Sequence, residues 1–140
     1  RIFSVFGQGL QKQLFWDLYE KIRVSKNVIL YGTGQESRDF IHISDLVKAI
    51  DLLIRKAEFK AEVYNVASGI ETTIKEATGI FSLLFDKEIK INFGGEIKAG
   101  DPINWRADIG KINQMGFRAT TDLNNGLQQY IQWLREKELR

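Results

Sequence analysis

Short apolar runs alternate along this chain with segments of helical period, and that alternation constrains the fold more than any other feature. Ile2 to Phe6 reads as a strand, and Gly7 and Gly9 break it. Leu14, Phe15, Leu18 and Ile22 then fall at helical spacing within Gln11 to Arg23. Val28 to Tyr31 is a second short strand, closed by the turn Gly32-Thr33-Gly34. Phe40, Ile41 and Ile43 open a third. Ser44 or Asp45 caps the helix that follows to about Ala57, with Leu46, Ile50, Leu53 and Ile54 as its apolar face. Val63 to Ala67 is a strand, and Thr73 with Glu76 has capping-box spacing at the start of another helix. Ile89 to Phe93 is a strand, Gly94 to about Asn104 is irregular, and a last helix begins after Thr121 or Asp122. Its stripe is Leu123, Leu127, Tyr130, Ile131 and Leu134. Strands separated by helices of roughly 10 to 15 residues predict an α/β domain with parallel pairings.

The residue inventory narrows the chemistry. At 140 residues the chain is one domain or a large piece of one. It has no cysteine and a single histidine, so a disulfide framework, a thiolate site and a histidine-rich metal centre are not expected. No metal is assigned. Twenty basic residues against 18 acidic ones leave a net charge of +2, with no run of five like charges, so no nucleic-acid partner is expected. No apolar run approaches the ~20 residues of a membrane helix, and no membrane partner is expected. The start shows no signal-peptide pattern, and the lack of cysteine fits a reducing cytosol. The chain enters its first strand directly from Arg1 without an initiator methionine, which reads as a fragment. No G-x-G-x-x-G or Gly-Lys-Ser/Thr loop occurs, and Gly32-Thr33-Gly34 lacks a third glycine and a following helix. No nucleophile constellation or paired carboxylates stand out, so no catalytic residue is assigned. Residue chemistry alone stops at a soluble α/β domain.

Several segments in order carry a resemblance. They are Arg1 to Gly9; Leu30-Tyr31-Gly32-Thr33-Gly34-Gln35-Glu36-Ser37-Arg38-Asp39-Phe40-Ile41-His42-Ile43-Ser44-Asp45-Leu46; Tyr64-Asn65-Val66-Ala67-Ser68-Gly69; and Gly100-Asp101-Pro102 with Ala107-Asp108-Ile109-Gly110-Lys111 and Gly116-Phe117. Together they resemble the extended short-chain dehydrogenase/reductase family, in its NAD-dependent nucleotide-sugar epimerase and dehydratase branch, nearest the UDP-hexose 4-epimerases. The resemblance implies the carboxy-terminal part of a Rossmann-type enzyme, with residues 1–140 as the substrate-binding portion and a small mixed α/β lobe within it. The family's dinucleotide loop and Tyr-x-x-x-Lys pair would lie upstream. Tyr19 followed by Arg23 is not that pair, because position 23 is arginine and the tyrosine sits in another helix.

The same resemblance implies NAD in the parent protein and none held by this part alone. It implies a nucleotide-diphosphate sugar as partner, a cytoplasmic location, and a homodimer built through Rossmann helices outside this chain. It places Gln13 and Leu14 at a helix start that contacts phosphate, Arg38 on the diphosphate, and Lys98 where relatives have arginine. Asp101 would meet a ribose hydroxyl or brace Arg38. Ile29 and Tyr31 would lie under the base, Ser4 near the sugar and Ile2 near the cofactor. Ser4 and Gln8 replace the family's usual asparagine and proline. Simpler readings stand beside these: Arg38 in a surface ion pair with Asp39, Lys98 as a solvated lysine, Asp101 as a turn residue and Tyr31 as core packing. His42 reads as structural, and Trp105 is the tryptophan placed to touch a substrate. A rival reading makes the parent a degenerate member of the family that binds a nucleotide or a protein without catalysis.

Overall fold

A computed structural model describes residues 1–96, 100 and 102–139. Ten elements follow in order: β1 (Ser4–Phe6), α1 (Gln13–Ile22), β2 (Asn27–Leu30), β3 (Ser37–His42), α2 (Ile43–Lys56), β4 (Glu71–Thr73), α3 (Ile74–Phe85), β5 (Lys90–Phe93), α4 (Gly110–Gln114) and α5 (Leu123–Glu138). They form two small sheets. In one, β1 pairs parallel with β3, and β3 pairs antiparallel with β4. In the other, β2 pairs parallel with β5. The α/β class expected from the sequence holds, with one antiparallel pairing that the alternation did not reveal.

Strand β3 is the spine, because its period of two feeds two cores. Phe40 joins a cluster with Phe6, Phe15, Leu18, Phe81, Leu127 and Leu134. Ile41 joins a second with Leu46, Ala49, Val66, Ile112 and Phe117. Leu18, Phe81, Leu127 and Leu134 are completely buried, each worth about 1.5–3 kcal/mol of transfer free energy. Helices α1, α3 and α5 thus cover one side of the sheet, and α2 and α4 the other.

Several expectations are corrected. The chain turns helical at Ile43 rather than continuing the strand, and His42 is the N-cap in place of Ser44 or Asp45. Asp45 is buried in the first turn of α2 and accepts hydrogen bonds from the Thr120 and Thr121 amides, the Thr120 hydroxyl and Lys48. Burial alone would raise its pKa, but those donors outweigh it and bring the carboxyl down to about 2. The buried stripe of α2 runs through Leu46 and Ala49, while Ile50 and Ile54 face outward. Val63 to Ala67 contributes only an isolated parallel bridge, Val66 to Ile2. Its chain turns away at Ser68–Gly69, whose amides Asp39 recruits. Strand β4 and helix α4 went unread, since neither shows apolar periodicity. The Thr73 cap holds, with its hydroxyl accepting from the Glu76 amide at 3.1 Å, and Asp122 caps α5 the same way.

A candidate nucleotide-sugar cleft

Alternation along β1 and β3 places Ser4 and Arg38 on the same face as Phe6 and Phe40. Helix α1 starts against that face, and the chain leaving β2 closes the far wall. Between them lies a cleft of about 1100 Å³. Ile2, Ser4, Gln13, Leu14, Tyr31 and Arg38 all line it. Ile29, 67% exposed on β2, is not among its lining residues. Lys98 and Asp101 fall outside the described residues.

Arg38 is half-buried and tightly held. Its Nη1 donates to the carbonyls of Ser37 and Pro102, each at 2.7 Å. Its guanidinium lies 5.8 Å from the Trp105 ring centroid, and Trp105 packs against Phe3 at 5.5 Å. The surface ion pair with Asp39 does not form. Asp39 leaves the strand on the other side, is fully buried, and accepts from the amides of Ser68, Gly69 and Ala107 and from the Ser68 hydroxyl. Tyr31 is 78% exposed, so core packing is overturned for it. Its ring carries the Lys21 ammonium at 5.7 Å. His42 is buried and structural: its Nδ1 lies 2.8 Å from the Ser44 hydroxyl, and its ring packs on Phe6.

The start of α1 differs from the other long helices. Side chains of His42, Thr73 and Asp122 cap α2, α3 and α5. Helix α1 has no side-chain cap and no acidic residue in its first turn, and Lys12 occupies its N-cap. Gln13 enters the helix at φ 69°, a conformation unusual outside glycine. An uncapped helix start leaves N–H donors for an anion and adds the positive end of the helix dipole. Lys12 also lines the cleft. Sequence reasoning passed over it, although a cation immediately before an uncapped helix was a readable signal.

The second wall is a clasped turn. Buried Glu36 accepts from the Thr33 amide and hydroxyl and from the Gly34 amide. These bonds, the Thr33 amide first among them, hold its carboxyl below the usual range. Gly34 has φ 80°, and a Cβ there would meet the Phe93 ring at 2.8 Å, so only glycine fits. The floor includes Tyr130 of α5, whose hydroxyl donates to the Leu10 carbonyl at 2.7 Å. Burial pushes that phenol's pKa up, keeping it a donor. A separate hollow of about 530 Å³ lies between Ser68–Gly69 and Arg106–Asn113. Among the described residues no cluster of acidic, histidine or cysteine side chains could hold a metal, and no helix is long and apolar enough to cross a membrane.

The fold matches the carboxy-terminal portion of Rossmann-type NAD-dependent epimerases of known structure. The model of the NAD dependent epimerase/dehydratase family matches residues 1–67. An uncharacterised UDP-glucose epimerase of Bacillus subtilis is 29% identical over 136 residues, covering 96% of this chain and 43% of that protein. MoeE5 in complex with UDP-glucose and NAD superposes with a TM-score of 0.87 at 28% identity, over 99% of this chain and 46% of that one. The UDP-N-acetylglucosamine 4-epimerase of Methanobrevibacter ruminantium, in complex with UDP-N-acetylmuramic acid, gives 0.84 at 26% identity, over 98% and 45%. The chain is therefore similar to members of the NAD dependent epimerase/dehydratase family. It spans somewhat under half the length of the relatives it matches.

Proposed function

We propose that the full-length protein is an NAD-dependent nucleotide-sugar epimerase or dehydratase, most like a UDP-hexose 4-epimerase, and that this chain is its nucleotide-sugar-binding portion. The observation that carries the reading is the meeting of Arg38 and the uncapped start of α1 in one cleft. A diphosphate needs N–H donors at a helix start and a cation in reach. Gln13 and Leu14 supply the helix start, Lys12 adds charge, and the Arg38 fork suits phosphate oxygens. Exposed Tyr31 offers a face to the base, and Ser4 a hydroxyl to the sugar. Lys98 and Asp101 belong to the same proposal.

NAD, when bound, supplies hydride transfer at the sugar. Toward it this chain offers Ile2, an exposed aliphatic side chain on the cleft. That fits one apolar contact and none of the cofactor's charged groups, so no reaction step is assigned to these residues. Their work is to bind and orient the substrate. A homodimer and a cytoplasmic location belong to the same reading.

The test is to assay the full-length protein with UDP-hexoses and measure bound NAD. Interconversion of 4-epimers or dehydration, with NAD retained, is expected. Absence of affinity for any diphosphate-linked hexose would overturn the reading. Binding without turnover would favour the non-catalytic rival.

A further inference from the structure

The loop between β1 and α1 carries the cleft wall into the helix start, yet it has little to hold it. Within the loop the Leu10 amide donates to the Gly7 carbonyl at 3.2 Å. Among the described residues, its hydrogen bonds to other elements from residues 8–11 all go to α5. Gln8 donates to Gln129 at 3.5 Å, Tyr130 donates to the Leu10 carbonyl at 2.7 Å, and Lys137 donates to the Gln11 side chain at 2.9 Å.

Tyr130 stands apart from the other two. Gln8 meets Gln129, and Lys137 meets Gln11, through exposed side chains. Such bonds are readily exchanged for water. The Tyr130 ring is 1% exposed, stacked on Trp133 at 5.6 Å, and reaches the backbone itself. A phenol fixed by packing leaves its hydroxyl one position, and so fixes the carbonyl it holds. Leu10 lies two residues before Lys12 and three before Gln13.

We infer that Tyr130 is a positioning residue for nucleotide-sugar binding: its buried hydroxyl, through the Leu10 carbonyl, sets the pose of the Gly7–Lys12 loop and hence of the α1 start. The inference rests on the proposed function for its substrate, but not for the loop. A helix near the end of the chain thereby governs a binding wall near its beginning. Tyr130 itself takes no part in the chemistry.

The experiment uses the full-length protein with Tyr130→Phe and, as control, Tyr19→Phe. Tyr19 also spends a buried phenol on a tie between α1 and α5, donating to Glu138 at 2.6 Å, a bond made away from the loop. Tyr130→Phe is expected to raise KM for a UDP-hexose about three- to tenfold, as for a buried acceptor left without its donor, while kcat stays within about twofold. Amide exchange over residues 8–12 is expected to quicken in Tyr130→Phe and not in Tyr19→Phe. Both variants are expected to lose thermal stability. Unchanged KM and loop exchange in Tyr130→Phe, or the same changes in Tyr19→Phe, would overturn the inference. A wild-type protein that turns over no UDP-hexose counts against the functional reading alone, and the exchange comparison then decides the role of Tyr130.

Discussion

Arg38 and Asp39 are neighbours in β3 whose side chains depart on opposite sides and do different work. The guanidinium stands in the cleft over Trp105, and the carboxylate is sealed in the interior among backbone amides. One strand residue thus presents charge to a ligand while the next ties the scaffold beneath it.

Arg38→Ala is expected to weaken UDP-hexose affinity tenfold or more, from about 1.5–3 kcal/mol for a charge-assisted hydrogen bond. Arg38→Lys should fall between, since an ammonium keeps the charge but not the fork. Titration calorimetry with UDP-glucose reads both. Equal affinities in all three proteins would remove Arg38 from the site.

Asp39→Asn is expected to act on stability. It keeps the volume but replaces an acceptor with an amide donor before Ser68, Gly69 and Ala107. Stranding even one or two buried amides costs roughly 2–4 kcal/mol. Thermal or urea unfolding checks it, and a loss under ~0.5 kcal/mol would contradict the role given to this carboxylate.

The chain's single histidine gives a pH dependence. Among the described residues, His42 Nε2 is buried without a hydrogen-bond partner. Burial lowers the pKa from its ordinary 6.5; Asp45 opposes the shift and Lys48 adds to it. The unfolded chain therefore takes up the proton first as pH falls. Stability from this group is full above about pH 6.5 and declines below it. Asp45 titrates far lower, near pH 2, so it does not obscure the window. The thermal midpoint should drop between about pH 7 and pH 5.5, and His42→Phe should flatten that slope.

Gly126→Ala is expected to destabilise the protein although it sits inside a helix. Alanine would gain about 1 kcal/mol of helix propensity. Its Cβ, however, would stand 2.7 Å from Phe6 Cζ and 3.1 Å from His42 Cδ2. Both rings are buried, so overpacking of about 1–3 kcal/mol should prevail. A raised melting temperature would show that the rings yield.

How much could be read from the sequence depended on the kind of signal. Helices α1, α3 and α5 were legible because the apolar stripes of α1 and α5 and the caps of α3 and α5 are local. Strand β4 was not, since Glu71-Thr72-Thr73 owes its extended form to pairing with Ser37–Asp39. The start of α2 was misread because Ser44 and Asp45 look like caps, while a histidine took that place and Asp45 served a segment 75 residues away. In the cleft, family likeness brought Ser4, Gln13, Leu14, Tyr31 and Arg38 forward as candidates. Lys12 was passed over although its place beside the helix start was readable, whereas Trp105's contact with Phe3 and the role of Tyr130 emerged only from packing, because nothing local marks a tyrosine whose partner carbonyl is 120 residues distant.

Asp39 gathers amides 29, 30 and 68 residues further along the chain. Two large loops must therefore close before that carboxylate is satisfied, and loop closure is entropically uphill until contacts repay it. Its bonds should form late on the folding pathway, so weakening them would hasten unfolding and scarcely slow refolding. The carboxylate that looked like half of a surface pair would then act as a kinetic latch on the native state.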